Sequence, residues 1–137
     1  MTYVVLAVLA AATVAGLVYR ARYGRLRVSG GELPAGLLPD TDPAGGPPGV
    51  TLLHFTSATC APCRQVRAVC ADLAQDLAAV RHVEVDADAH LDAVKSLDIW
   101  RLPTLLVVDR HGRVARRTVG VPDRADLRRT VTEVLAA

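Results

Sequence analysis

Apolar and polar positions follow several distinct rhythms along the chain. Residues Tyr3 to Tyr19, YVVLAVLAAATVAGLVY, carry no charge and no polar face. That predicts a helix apolar all round, near the lower limit of about 17 to 25 residues for one that crosses a bilayer. Between Val28 and Gly49 the chain reads VSGGELPAGLLPDTDPAGGPPG, crowded with Gly and Pro that stop helix growth and remove ladder donors, so a linker is expected. Its short apolar patch from Leu33 to Leu38 is a candidate for docking on the domain that follows. VTLLHFTS, from Val50, is an unbroken apolar run of strand length with both faces buried. Val66, Val69, Cys70, Leu73 and Leu77 then recur at helical steps, predicting a helix from Pro62 to Ala79. RHVEVDAD reads as a strand, Leu91 to Leu97 as a short helix, and Leu102-Pro103 as a turn. TLLVVD and RVARRTVG form a hairpin about Arg110-His111-Gly112. The closing helix is opened by Pro122 and Asp123 and striped by Leu127, Val131, Val134 and Leu135.

This order predicts an α/β fold: a parallel crossover, then an antiparallel hairpin, giving a mixed central sheet flanked by helices and preceded by one transmembrane helix. The expected division is an anchor with its basic flank over 1–27, a linker over 28–49, and the folded domain over 50–137. A flexible linker of that length spans about 25 Å and raises the domain's effective concentration toward membrane-bound partners. The apolar helix reads as a retained anchor rather than a secretory leader. Only Met1 and Thr2 precede it, without the basic residues of a leader, and YRARYGRLR follows where a small-residue cleavage site belongs.

The 137 residues suit one compact domain. Net charge is +2, with Arg20, Arg22, Arg25 and Arg27 gathered just after the apolar run. From Val50 onward 12 basic residues face 11 acidic ones, a balance of +1 that lacks the clustered cations a nucleic-acid binder needs. The four arginines favour a single-pass cell-membrane protein with its domain on the cytoplasmic side, leaving the extracytoplasmic topology open.

Cys60, Cys63 and Cys70 fall within eleven residues and cannot staple distant parts of the chain. Cys60-Ala61-Pro62-Cys63 lies where the first strand of the domain gives way to its first helix. Unpaired amides and the helix dipole there stabilise a thiolate, which makes Cys60 the nucleophile. One helical turn on, Cys63 can resolve a mixed disulfide between Cys60 and a substrate.

The strand LLHF leading into TCAPCRQV, the segment IWRLPTLLVVD about forty residues later, and Gly120 ending the last strand together resemble the thioredoxin family over roughly Val50 to Ala137. The resemblance implies a thiol–disulfide oxidoreductase. It implies that Pro103 is cis and faces the cysteine pair, keeping metals off the thiols, and that the backbone of Leu102 pairs with an extended substrate chain. Thr59 and Ala61 stand where thioredoxins proper carry Trp and Gly, so substrate contact and redox potential are expected to differ, and a tethered branch fits better. The family's first strand and helix have no obvious counterpart unless Leu33 to Leu38 supplies part of them. The family's buried acid falls on His54 and its neighbouring lysine on His82. An imidazole titrating near neutrality at His54 is a candidate catalytic acceptor for the proton Cys63 loses.

Cys70, on the apolar stripe, is expected to be a buried inert thiol. His90 and His111 are expected in solvent, and Trp100 either borders the site or packs. The favoured reading is a protein-disulfide reductase acting near the membrane through the Cys60/Cys63 dithiol. Catalytic residues are Cys60, Cys63 and His54; substrate contacts are Thr59, Leu102 and Pro103. Its partners are protein disulfides and an unidentified electron donor; no cofactor, metal or nucleic acid is called for. The alternatives are a thioredoxin-fold copper chaperone, disfavoured by the absence of a second cysteine pair, and a non-catalytic membrane-bound interaction module.

Overall fold

The computed structural model describes residues 1–38 and 49–137. Helix α1 spans Thr2–Arg22 and strand β1 Arg27–Val28; then come β2 Val50–Thr56, α2 Cys63–Asp76, β3 Val80–Asp86, α3 Leu91–Ser96, β4 Thr104–Asp109, β5 Val114–Val119 and α4 Arg124–Ala136. The strands form a mixed sheet in the order β1-β5-β4-β2-β3.

The largely apolar run of β2 has a clear cause: it is paired on both sides, parallel to β3 and antiparallel to β4, and buried on both faces. Val50 and Leu52 point into one core with Val66, Cys70 and Leu73 of α2 and Leu127, Val131 and Val134 of α4. Leu53 and Phe55 point into the other with Ala93, Leu97 and Ile99 around α3. Helices thus cover both faces of the sheet. Asp123 caps α4 by accepting from the Ala125 and Asp126 amides, a contribution of about 1 kcal/mol.

Two expectations change. Helix α2 ends at Asp76, three residues before Ala79. Leu77 turns to an extended conformation, and the Ala79 carbonyl is taken by the Gly49 and Val50 amides, so the backbone there serves the sheet. More consequentially, the chain from residue 28 is not a free tether along its length. Arg27 and Val28 pair with Arg117 and Arg116 of β5 and Glu32 bridges to Arg113, while Leu33, Leu37 and Leu38 pack on the α3-side core, the docking expected of that apolar patch. The rest of the expected linker, residues 39–48, lies outside the described residues.

Helix α1 therefore runs almost directly onto the sheet. The Gly24 amide donates to the Val119 carbonyl at 2.8 Å, and the Tyr23 ring lies over Gly120. None of the helix's own residues is buried. At 21 residues with a mean hydropathy of 2.1 over its apolar window, it is long and apolar enough to span a membrane.

Candidate active site

Strand β2 delivers the chain to a loop, residues 57–62, held by the Cys60 amide donating to the Ser57 carbonyl at 3.3 Å. Cys60 and Cys63 form a disulfide, with Sγ–Sγ 2.00 Å and Cα–Cα 5.4 Å. The two sulfurs are not equivalent. Both line a shallow depression with Thr59, Ala61, Arg64 and Arg67, but Cys60 is half-buried whereas Cys63 is 2% exposed. An incoming substrate meets Cys60 first. The first turn of α2 has no side-chain cap and no acidic residue, so its amides and the positive end of the helix dipole are left to stabilise a thiolate, with Arg64 and Arg67 adding charge of the same sign.

The Leu102–Pro103 peptide is cis. Phe55 pairs with Thr104, which brings Pro103 to the end of β2 beside the cysteine loop. The Pro103 carbonyl accepts from the Gly120 amide at 2.9 Å, tying this loop to the end of β5. Thr59 is exposed in the same depression as Cys60, its hydroxyl within 3.4 Å of the Ser57 hydroxyl. Trp100 is 86% exposed, its indole N–H donating to Asp98 at 2.7 Å. His90 and His111 are exposed, as expected.

Behind the disulfide lies a polar cluster between the sheet and α2. His54 is fully buried, its ring stacked on that of His82 with centroids 5.9 Å apart. Glu84, opposite His54 in the β2–β3 register, stands 3.6 Å from His54 Nδ1 and accepts from Arg67 Nε at 2.6 Å. Arg67 is one turn beyond Cys63 on α2, about 6 Å along the helix axis. Burial, then the neighbouring His82, pushes the His54 pKa down to about 4. The expected titration near neutrality is thus replaced by a ring that stays uncharged across that range. Burial lowers His82 as well. Cys70, fully buried, has its thiol pKa pushed up to about 12 by burial and then by Glu84, the inert thiol its place on the stripe implied.

The thioredoxin family model matches residues 47–133. The chain belongs to the thioredoxin family. It is 27% identical over 85 residues to a thioredoxin of Chlamydia muridarum, covering 62% of this chain and 82% of that protein. It is 28% identical over 88 residues to a thioredoxin of Bacillus subtilis, covering 64% and 84%. Among solved structures, chloroplastic thioredoxin z superposes with a TM-score of 0.58 at 22% identity, covering 69% of this chain and 84% of that one. This member of the family is a thiol–disulfide oxidoreductase with a Cys60/Cys63 pair. Residues that pattern reading passed over are Glu84, Arg67 and the Tyr19–Arg101 contact. The first was within reach, since Glu84 follows His82 by two on a strand and shares its face; nothing in the pattern joins Tyr19 to Arg101.

Proposed function

We propose that this family member is a membrane-anchored protein-disulfide reductase whose redox face is held beside the membrane surface. The observation that carries this reading is the docking of α1. Its terminal Tyr19 accepts a hydrogen bond from Arg101, two residues before Pro103, and Tyr23 and Gly24 are fastened to the end of β5. A helix apolar on every side exposes more apolar surface than water tolerates, while Tyr19 and Tyr23 at its end suit the membrane–water interface. The disulfide loop and the Pro103 loop share one end of the sheet with that attachment.

In the reaction, the Cys60 thiolate attacks one sulfur of a substrate disulfide, forming a Cys60–substrate bond and releasing the other substrate sulfur as a thiolate, which takes up a proton. Cys63 gives its proton to water and its thiolate attacks the Cys60 sulfur. The mixed disulfide breaks, the second substrate sulfur leaves as a thiolate and takes up a proton, and Cys60–Cys63 is left oxidised. Two electrons from a donor dithiol restore it. Thr59, the Leu102 backbone and Pro103 contact the substrate chain, and His54 presents an uncharged imidazole rather than a carboxylate behind Cys63. Arg20, Arg22, Arg25 and Arg27 favour placing the domain on the cytoplasmic side.

The test is labelling of Cys60 by a membrane-impermeant thiol reagent after reduction, in a Cys70→Ser background, with intact and broken cells compared. Labelling only after breakage supports a cytoplasmic reductase. Labelling of intact cells reverses the topology and requires a transmembrane electron donor. Recovery of Cys60 in the soluble fraction removes the anchored reading altogether.

A further inference from the structure

We infer that His54, His82 and Glu84 form a binding site for a divalent transition cation of the zinc type, separate from the Cys60/Cys63 dithiol. One ligand atom from each of the three lies within 4.8 Å of the others. His54 Nδ1 and Glu84 Oε1 are 3.6 Å apart, close to the spacing of roughly 3.3 to 3.6 Å that bonds of about 2.0 to 2.2 Å impose around a tetrahedral ion.

A second observation points to a ligand independently of that spacing. His54 is fully buried, yet among the described residues neither ring nitrogen has a hydrogen-bond partner, and His82 Nε2 is likewise buried and unpartnered. Buried polar atoms are nearly always satisfied, because leaving one unpaired costs about 1 to 3 kcal/mol. A bound cation would take one nitrogen from each of the two stacked imidazoles, beside a carboxylate, and so satisfy two of these three orphaned atoms. Two neutral imidazoles and one carboxylate suit zinc and its neighbours rather than magnesium or calcium, which prefer all-oxygen shells. Three protein ligands leave a fourth position for water. Access is from the sheet edge, where β3 lies outermost and the Glu84 side chain is 35% exposed.

One group opposes the ion. Arg67 donates to Glu84 from α2, so its cation shares the carboxylate and repels a metal. This gives the site a signature that a merely structural cluster lacks: removing Arg67 should tighten binding, while removing Glu84 or His82 should abolish it.

The experiment is titration of the full-length chain, in detergent and fully oxidised so that Cys60 and Cys63 are paired, with zinc and with cobalt as its spectroscopic stand-in. The expected result is one equivalent bound with micromolar affinity or better, and cobalt d–d bands of tetrahedral intensity without a thiolate charge-transfer band. Glu84→Gln and His82→Ala should each weaken binding at least about 100-fold, the upper end of what losing even an outer-shell partner costs. Arg67→Gln should tighten it roughly 10-fold, the effect of one unit charge at this range in a water-like dielectric. Should His82→Ala fail to fold, the surface variants Glu84→Gln and Arg67→Gln decide alone. Absence of stoichiometric binding overturns the inference. So does binding that Glu84→Gln leaves unchanged, or a cobalt spectrum dominated by sulfur.

Discussion

The Arg101 guanidinium donates a hydrogen bond to the Tyr19 hydroxyl at 2.8 Å and lies 5.4 Å from the centre of the same ring, joining residues 82 apart in sequence. One partner ends the apolar helix; the other opens the loop that carries Leu102 and Pro103. Orientation of the redox domain relative to α1 is therefore set by side-chain contact as well as by chain connection.

Arg101→Ala removes both the hydrogen bond and the cation–π contact, together worth about 1 to 2 kcal/mol at an exposed site. Trypsin cleavage within the Arg22 to Arg27 segment should speed up by roughly 5- to 30-fold if cleavage follows local opening. Reduction of a small soluble disulfide should be unaffected, and reduction of a membrane-protein disulfide should slow. Equal tryptic rates in variant and parent would show that the contact does not hold the helix in place.

Gly24 is the tighter fastening. Its φ is +77°, and a Cβ there would run into the Val121 carbonyl oxygen, so neither the backbone conformation nor the space admits a side chain. Gly24→Ala should cost at least about 2 kcal/mol from left-handed strain plus displacement, read as a lower urea midpoint for the attached segment. Gly16, in the middle of α1 with nothing within 4 Å, is the control. Alanine there is expected to be neutral or slightly stabilising to the helix.

What the sequence disclosed and what it withheld separate along physical lines. TLLVVD, the hairpin after it and the α2 stripe were legible because period and turn chemistry are local, and Cys60 and Cys63 because their spacing and place at a helix start are local too. The docking of the Leu33 to Leu38 patch was legible as an apolar run, but the edge pairing of residues 27–32 was not. Glycines and prolines signal the end of regular structure, yet a two-residue edge strand such as Arg27–Val28 needs only backbone pairing, which leaves almost no mark on side-chain pattern. His54 was placed by its distance before Cys60, but its charge state depends on burial and on His82, which sequence does not supply.

Cys70 should take no part in turnover. Its thiol pKa of about 12 and complete burial leave almost no thiolate near neutrality, and thiolate is the reactive form. Cys70→Ala should keep full reductase activity while losing about 1 kcal/mol of stability, as for deletion of a small buried group. Native protein should modify only Cys60 and, more slowly, Cys63 with an alkylating reagent after reduction. Modification of Cys70 at a rate comparable to Cys60 would disprove its inertness.

Stability should fall on acidification through a window set by His54. In the unfolded chain its imidazole takes a proton near pH 6.5, whereas in the folded protein burial and His82 delay that to about pH 4. Between those values the unfolded state binds the extra proton, so lowering the pH favours unfolding, and the stability present above pH 6.5 is progressively lost. The groups facing the ring are His82 and Glu84 from β3 and Arg67 from α2. His82, also lowered by burial, adds to the loss in the same direction. The loss from His54 alone approaches about 3 kcal/mol once its folded pKa is reached. Urea midpoints of the metal-free protein at neutral pH and near pH 4.5 measure most of it. His54→Gln should remove the larger part of the slope above the carboxylate range. A slope that survives that substitution intact belongs to other groups, and the cluster behind Cys63 would then not be the acid-sensitive element of this fold.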